Sequence, residues 1–238
     1  MICFLTSSPC YPDNPALNPA NGFADAILSA LPNPCKGLFI ASSPDNLEKT
    51  DEFAGHMRHT FSIGGIEFSQ YIVLDRRNCG SAAALIKDTD FIILAGGHVP
   101  TQNRFFREIG LRGLIKDFDG VILGISAGTM NAADVVYAQP EEPGEATDLD
   151  YQKFLPGLGL TKIMVLPHYQ MNKDDVLDGL RIYEDIACPD SMGRQFHVLP
   201  DGSYLYIENG LQELRGEAYL IQNGVFRQIS QTGDVIQL

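Results

Sequence analysis

Over roughly the first 190 residues, apolar runs of four or five residues alternate with stretches whose apolar side chains recur every three or four positions. The runs predict strands at Ile2–Leu5, Leu38–Ala41, Tyr71–Leu74, Phe91–Ala95, Val121–Leu123 and Ile163–Leu166. The periodic stretches predict helices. Phe23, Ile27 and Leu31 fall on one helical face. Ser43-Pro44 pairs a capping serine with a proline at the first helical position, opening a helix that buries Leu47, Ala54, Met57 and Phe61. A short helix is expected at Ser81–Ile86, and another after Gly96-Gly97 carrying Phe105, Ile109 and Leu114. From about Asn172 the spacing of Val176, Leu180, Tyr183 and Ala187 predicts one more.

Strands that are apolar throughout need cover on both faces, and strand-helix alternation makes their sheet mainly parallel. From Val198 the pattern changes: Pro200-Asp201-Gly202, Asn209-Gly210 and Asn223-Gly224 punctuate short β-type runs such as Tyr204–Ile207 and Ala218–Ile221. Those are hairpin signals. The fold class expected is α/β, a mainly parallel sheet sandwiched by helices with a C-terminal antiparallel β addition. No repeat, low-complexity tract or linker divides the chain, so residues 1–238 are expected to form one domain.

The stretch with the most chemistry in it is Gly124-Ile125-Ser126-Ala127-Gly128, between a buried strand and a helix beginning Thr129-Met130. A G-x-S-x-G that turns strand directly into helix is a nucleophile elbow. The sharp turn crowds the serine's neighbours, so Gly124, Ala127 and Gly128 must be small. It leaves the hydroxyl of Ser126 exposed, with the free amide of Ala127 and the positive end of the helix facing the same point.

Composition narrows the classes around that motif. With 17 basic against 30 acidic residues the net charge is −13, which argues against nucleic acid or an anionic membrane surface as partner. No apolar run approaches the length of a membrane span. The N-terminus is soon interrupted by Ser7, Ser8 and Pro9, unlike a secretory signal. Five scattered cysteines with no C-x-x-C pair point to a reducing, cytoplasmic setting rather than to disulfides or zinc. His56 and His59 share a helical face but lack a third ligand, so neither a metal site nor a cofactor is expected. The acidic loop from Gln139 to Tyr151, with Glu141, Glu142 and Glu145, reads first as a solvated surface. If it overhangs the site, its charge favours a cationic group such as a peptide's amino terminus.

An elbow serine needs a base, a group to orient that base, and a second oxyanion donor. Such groups collect at the carboxyl ends of parallel strands. Gly96-Gly97 ends the strand before the elbow strand, and its backbone can approach a ligand closely, so the Gly97 amide can pair with that of Ala127. His168 ends Ile163–Pro167, expected as a strand flanking the elbow strand, and is the candidate base. His98 is a candidate pocket residue, and His197 opens a strand and reads as structural. For the orienting carboxylate the choice is Asp201, with Glu141 and Asp134 as competitors closer to Ser126 in sequence.

Ala95-Gly96-Gly97 before a helix, the Gly124–Gly128 elbow, Leu166-Pro167-His168-Tyr169 and Leu199-Pro200-Asp201-Gly202 occur in an order that resembles the peptidase E (aspartyl dipeptidase) family of serine peptidases, related to cyanophycinase. The resemblance covers most of the chain. It implies a fold like the class I glutamine amidotransferases, a Ser126–His168 pair with an acid in the late turn where Asp201 stands, and an oxyanion hole from the amides of Gly97 and Ala127. It also implies cleavage of small peptides, as by dipeptidases that cut after an N-terminal aspartate. Two departures bear on specificity. His98 stands where the family usually has Asn, and Lys173 is the only cation in Gln170–Asp175, where the family carries arginine for the aspartyl carboxylate. Lys173 is thus the remaining pocket candidate, and an acidic substrate suits this chain poorly. Two other readings stay open at the level of sequence: an α/β-hydrolase esterase using His197, and a non-catalytic binding domain of the same fold.

Overall fold

The computed structural model describes residues 1–11 and 14–238. Among these, five strands form the parallel body of an eight-stranded sheet: β1 (Ile2–Thr6), β2 (Cys35–Ile40), β3 (Phe68–Leu74), β4 (Phe91–Leu94) and β5 (Val121–Ile125). They lie side by side in the order β1-β5-β4-β2-β3. The chain then leaves this sheet. Strands β6 (Met164–Leu166) and β7 (Gln195–Val198) pair in parallel within a second, four-stranded sheet. Strands β8 (Tyr204–Glu208) and β9 (Leu211–Arg215) return to extend the first sheet antiparallel from β1. The second sheet is completed by β10 (Ala218–Gln222) and β11 (Val225–Ser230), and β12 (Val235–Gln237) closes the first sheet beside β9. The late Asn-Gly turns do mark antiparallel strands, which are shared between the two sheets.

The unbroken apolar strands are buried because both faces of the sheet are covered. On one face Phe4, Phe39 and Leu123 pack against Phe23 and Ile27 of α1 (Phe23–Ala30) and Met57 and Phe61 of α2 (Leu47–Ile63). On the other, Leu5, Ile40 and Ile122 meet Ile86 of α3 (Ala82–Lys87), Phe105 of α4 (Val99–Glu108) and Leu111 of α5 (Leu111–Leu114). Each fully buried side chain of this kind stabilises the fold by roughly 1.5–3 kcal/mol. No helix among the described residues is long and apolar enough to cross a membrane.

Three expectations give way. The helix α2 begins at Leu47, not at Pro44, because Asn46 is its cap: the Asn46 side chain accepts from the Lys49 amide at 3.1 Å. Leu47 is consequently exposed, while Ala54, Met57 and Phe61 are buried. The helix expected from Asn172 is absent from the described residues. A single helical turn (Tyr169–Asn172) gives way to a hairpin in which Val176–Leu177 pairs with Leu180–Arg181 across Asp178-Gly179. Both turn residues have positive φ, 53° and 83°, as a tight Asp-Gly hairpin requires. That turn signal overrides the three-four spacing. Val176 is exposed, and Tyr183 and Ala187 are buried from a π-type turn at Ile182–Ala187. Finally, Ile163–Leu166 does not flank the elbow strand. The neighbours of β5 are β1 and β4, and β6 belongs to the second sheet.

Candidate active site

The elbow is built between β5 and α6 (Ala127–Asn131). Ser126 sits between them at φ 49°, ψ −109°, a conformation that a non-glycine residue adopts only when its surroundings enforce it. The enforcement comes from β1: the Thr6 carbonyl accepts from the Ser126 amide at 3.0 Å and from the Thr129 hydroxyl at 2.7 Å. Close packing explains the flanking glycines. A Cβ on Gly128 would lie 2.3 Å from the Leu94 carbonyl oxygen, and one on Gly124 would lie 2.9 Å from the Thr129 backbone. The Gly96-Gly97 turn runs alongside, since a Cβ on Gly96 would be 3.4 Å from that of Ser126. Gly97 adopts φ 148°, and a Cβ there would lie 2.5 Å from the oxygen of Ser42, whose hydroxyl donates to the Gly96 carbonyl. The amides of Gly97 and Ala127 donate to no protein acceptor among the described residues. Ala127 opens the helix, where an amide has no intrahelical partner.

His168 follows β6 and is also held at positive φ, 60°. Its Nδ1 lies 2.8 Å from Oδ1 of Asp201, whose side chain is only 7% exposed. An ionised carboxylate can only accept, so Nδ1 carries the proton and the Nε2 lone pair is free to act as a base. Asp201 is held in turn by Gln170, whose Oε1 accepts from the Asp201 amide at 2.9 Å. The buried Ser7, just past β1, ties His168 to the late turn. Its hydroxyl accepts from the His168 amide at 3.2 Å and donates to the Leu199 carbonyl at 2.9 Å. The sequence motifs give no sign of Ser7 or Gln170. The position of Ser7 at the carboxyl end of a parallel strand is the signal that would have found it.

Ser126 and His168 line the same two cavities. The larger, about 340 Å³, is walled also by Ser7, Tyr11, Phe53 and Met57. The smaller, about 70 Å³, is walled also by Met130, Gln139, Glu141 and Asn172. The hydroxyl of Ser126 makes no hydrogen bond among the described residues, so the expected bond to the imidazole is not formed. Such contacts are often long in an unliganded site and tighten when substrate is bound.

The acidic loop reaches this rim. Glu141 Oε1 accepts from the Val99 amide at 2.9 Å. The protein around its carboxyl raises its pKa, against the lowering effects of the Val99 amide and His98. Glu145 is held by the amides of Glu141 and Glu142 and by Nε2 of His98 at 2.9 Å. Burial pushes its pKa up, but these partners outweigh that and bring it below the ordinary value. His98, whose Nδ1 meets the Thr101 hydroxyl at 2.7 Å, therefore braces the loop and lines neither cavity. The donor atoms of His98, Glu142 and Glu145 come within 4.8 Å of one another. Glu145, however, already spends its oxygens on His98 and two amides.

The remaining candidates lie elsewhere. Lys173 is exposed, lines neither cavity, and its ammonium is 4.0 Å from Asp174. Asp134 pairs with Arg112 at 2.7 Å, and Glu141 is engaged by Val99, so neither competes with Asp201 for His168. His197 is buried within β7, its Nδ1 has no partner among the described residues, and burial pushes its pKa down to about 4. It lines neither cavity, which removes the basis for an esterase reading built on it.

A parallel sheet covered by helices, with a serine elbow at its carboxyl edge, defines an α/β hydrolytic scaffold. Its fold is similar to the 1.5 Å crystal structure of a "Putative Peptidase E Protein" from Listeria monocytogenes EGD-e, with a TM-score of 0.61 and 16% identity over 96% of this chain and 98% of that one. No curated protein matches the chain in sequence. The chain belongs to peptidase family S51, whose family model matches residues 4–214. It is thus a serine peptidase of the peptidase E type, and its substrates are peptides.

Proposed function

We propose that the protein is a cytoplasmic, dipeptidase-like enzyme that hydrolyses small peptides with Ser126 as nucleophile, His168 as base and Asp201 as the orienting acid. The whole chain serves as one catalytic domain, without nucleic-acid or membrane partners. The observation that carries this reading is the 2.8 Å contact between His168 Nδ1 and Asp201, on an imidazole that shares both its cavities with the elbow serine.

In the reaction, the Ser126 oxygen attacks the scissile carbonyl carbon while His168 Nε2 takes the hydroxyl proton. The imidazolium so formed is stabilised by Asp201 through Nδ1–H. The amides of Gly97 and Ala127 donate to the tetrahedral oxyanion. As the C–N bond breaks, Nε2 returns the proton to the leaving amine. Water, deprotonated by the same nitrogen, then cleaves the acyl-enzyme and restores Ser126. Cavities of about 340 and 70 Å³ suit a substrate of a few residues rather than a folded protein.

The test is Ser126→Ala. The variant is expected to fold as the parent does, to hydrolyse no member of a short-peptide panel, and to resist labelling by a fluorophosphonate that modifies the parent. Retained turnover, or a parent that hydrolyses peptides yet resists the probe, would remove Ser126 from the mechanism.

A further inference from the structure

We propose that Glu141 binds the α-amino group of the substrate, making the enzyme act on the N-terminal residue of short peptides that carry an uncharged, apolar side chain there. This rests on the serine-peptidase reading above and narrows it to a substrate class.

The argument begins from the geometry of a terminal residue. Its α-carbon is one bond from the scissile carbonyl and bears both the amino group and the side chain. Both substituents must therefore enter spaces that open on Ser126. Two cavities open there, and they differ in size and chemistry. The cavity of about 70 Å³ admits a group not much larger than an ammonium and has a carboxylate, Glu141, in its wall. The cavity of about 340 Å³ admits a large side chain and is walled by Tyr11, Phe53, Met57 and Ile125. Neither wall contains a lysine or arginine, so a substrate carboxylate finds no permanent cation in either; beside His168, which the reaction occupies, the larger one offers only the imidazole of His56.

Glu141 is equipped for the task in a way its neighbours are not. Glu145 is taken up by His98 and two amides. Glu141 spends one oxygen on the Val99 amide, and the other has no hydrogen-bond partner among the described residues. An ammonium brings three donors and needs such an acceptor. The loop is also fixed in place before substrate arrives. His98 holds Glu145, and the Asp178 carboxylate accepts from the amides of Gly144 and Ala146 at 2.9 and 3.1 Å. A carboxylate held ready loses little freedom on binding, which favours its use in recognition.

The experiment compares tripeptides Xaa-Ala-Ala, with Xaa as Phe, Leu, Asp or Lys and the amino terminus free or acetylated, in the parent and in Glu141→Gln. Glutamine keeps an acceptor for the Val99 amide and removes only the charge. Free Phe and Leu peptides should be cut after the first residue at least about tenfold better in kcat/KM than their acetylated forms. In Glu141→Gln that ratio should fall to near unity, and Asp should be poor in the parent. Acetylated peptides cut as readily as free ones, or a ratio unmoved by the substitution, would overturn the proposal. So would a preference for acetyl-Lys, which would make the small cavity a site for a basic side chain. Fluorophosphonate labelling of Ser126 without cleavage of any tripeptide would overturn this substrate class and leave the nucleophile standing. Failure of both labelling and cleavage would instead sink the serine-peptidase assignment of the site.

Discussion

Replacing Asp201 with asparagine isolates the charge beside His168 from the shape of the late turn. The substitution is nearly isosteric, the side chain is 7% exposed, and the backbone bond to Gln170 does not depend on the carboxylate. What changes is the partner offered to the imidazole. With aspartate, Nδ1–H points at a full negative charge 2.8 Å away; with asparagine it meets at best a neutral carbonyl. Taking the charge centres of carboxylate and imidazolium as about 4 Å apart, with an effective dielectric of about 20, their attraction is about 4 kcal/mol. That attraction exists only once Nε2 has taken the serine proton, so it belongs to the transition state and not to the resting enzyme. Converted at 1.36 kcal/mol per decade, its loss lowers kcat by about 10³-fold. The assay is steady-state hydrolysis of the best small-peptide substrate, with thermal unfolding as a check on folding. Asp134→Asn, which removes a carboxylate paired with Arg112 on the surface, is the matched control. A fall of less than about tenfold, or an effect confined to KM, would refute the assignment of Asp201 as the orienting acid.

Two further predictions concern packing and pH. Gly128→Ala puts a methyl group 2.3 Å from the Leu94 carbonyl oxygen, so α6 must move away from β4 and carry the Ala127 amide with it. We expect a loss of about 1–3 kcal/mol in stability, read as a lower Tm, together with slower fluorophosphonate labelling; an unchanged Tm would show that the elbow is looser than its geometry implies. His197, neutral and buried with its pKa depressed to about 4, binds a proton in the unfolded chain at higher pH than in the folded one. Stability is therefore full above about pH 6.5 and is lost as pH falls toward 4, by up to about 3 kcal/mol. His197→Leu should flatten that slope in thermal unfolding, and an equal slope in the variant would assign the acid sensitivity to other groups.

How much of this was legible in the chain depended on whether a signal was local. The parallel body of the sheet, its cover on both faces and the late antiparallel strands follow from runs, spacings and turn dipeptides that each act over a few residues. The elbow did too, because Gly124 and Gly128 are required by contacts within the turn and with the adjacent strand. What failed was arbitration between two local signals, as at Asp178-Gly179, where a hairpin dipeptide lay inside a helical spacing. The order of strands is not local at all. Only the folded sheet puts β1 beside β5, and with it Thr6 under the elbow and Ser7 against His168.

That placement has a consequence for how the site holds its shape. Both Ser126 and His168 have positive φ, and each is fixed by a residue at the end of β1: Thr6 accepts from the Ser126 amide, and the Ser7 hydroxyl accepts from the His168 amide. The elbow that carries Ser126 and the strand exit that carries His168 are therefore both hydrogen-bonded to one two-residue segment of the first strand's exit. The strain at each position persists because neighbouring structure over-determines it. Here the same segment does so for both, and errors in one half of the pair are coupled to the other. A single strand end can thus set the distance between serine and imidazole without contributing an atom to the chemistry.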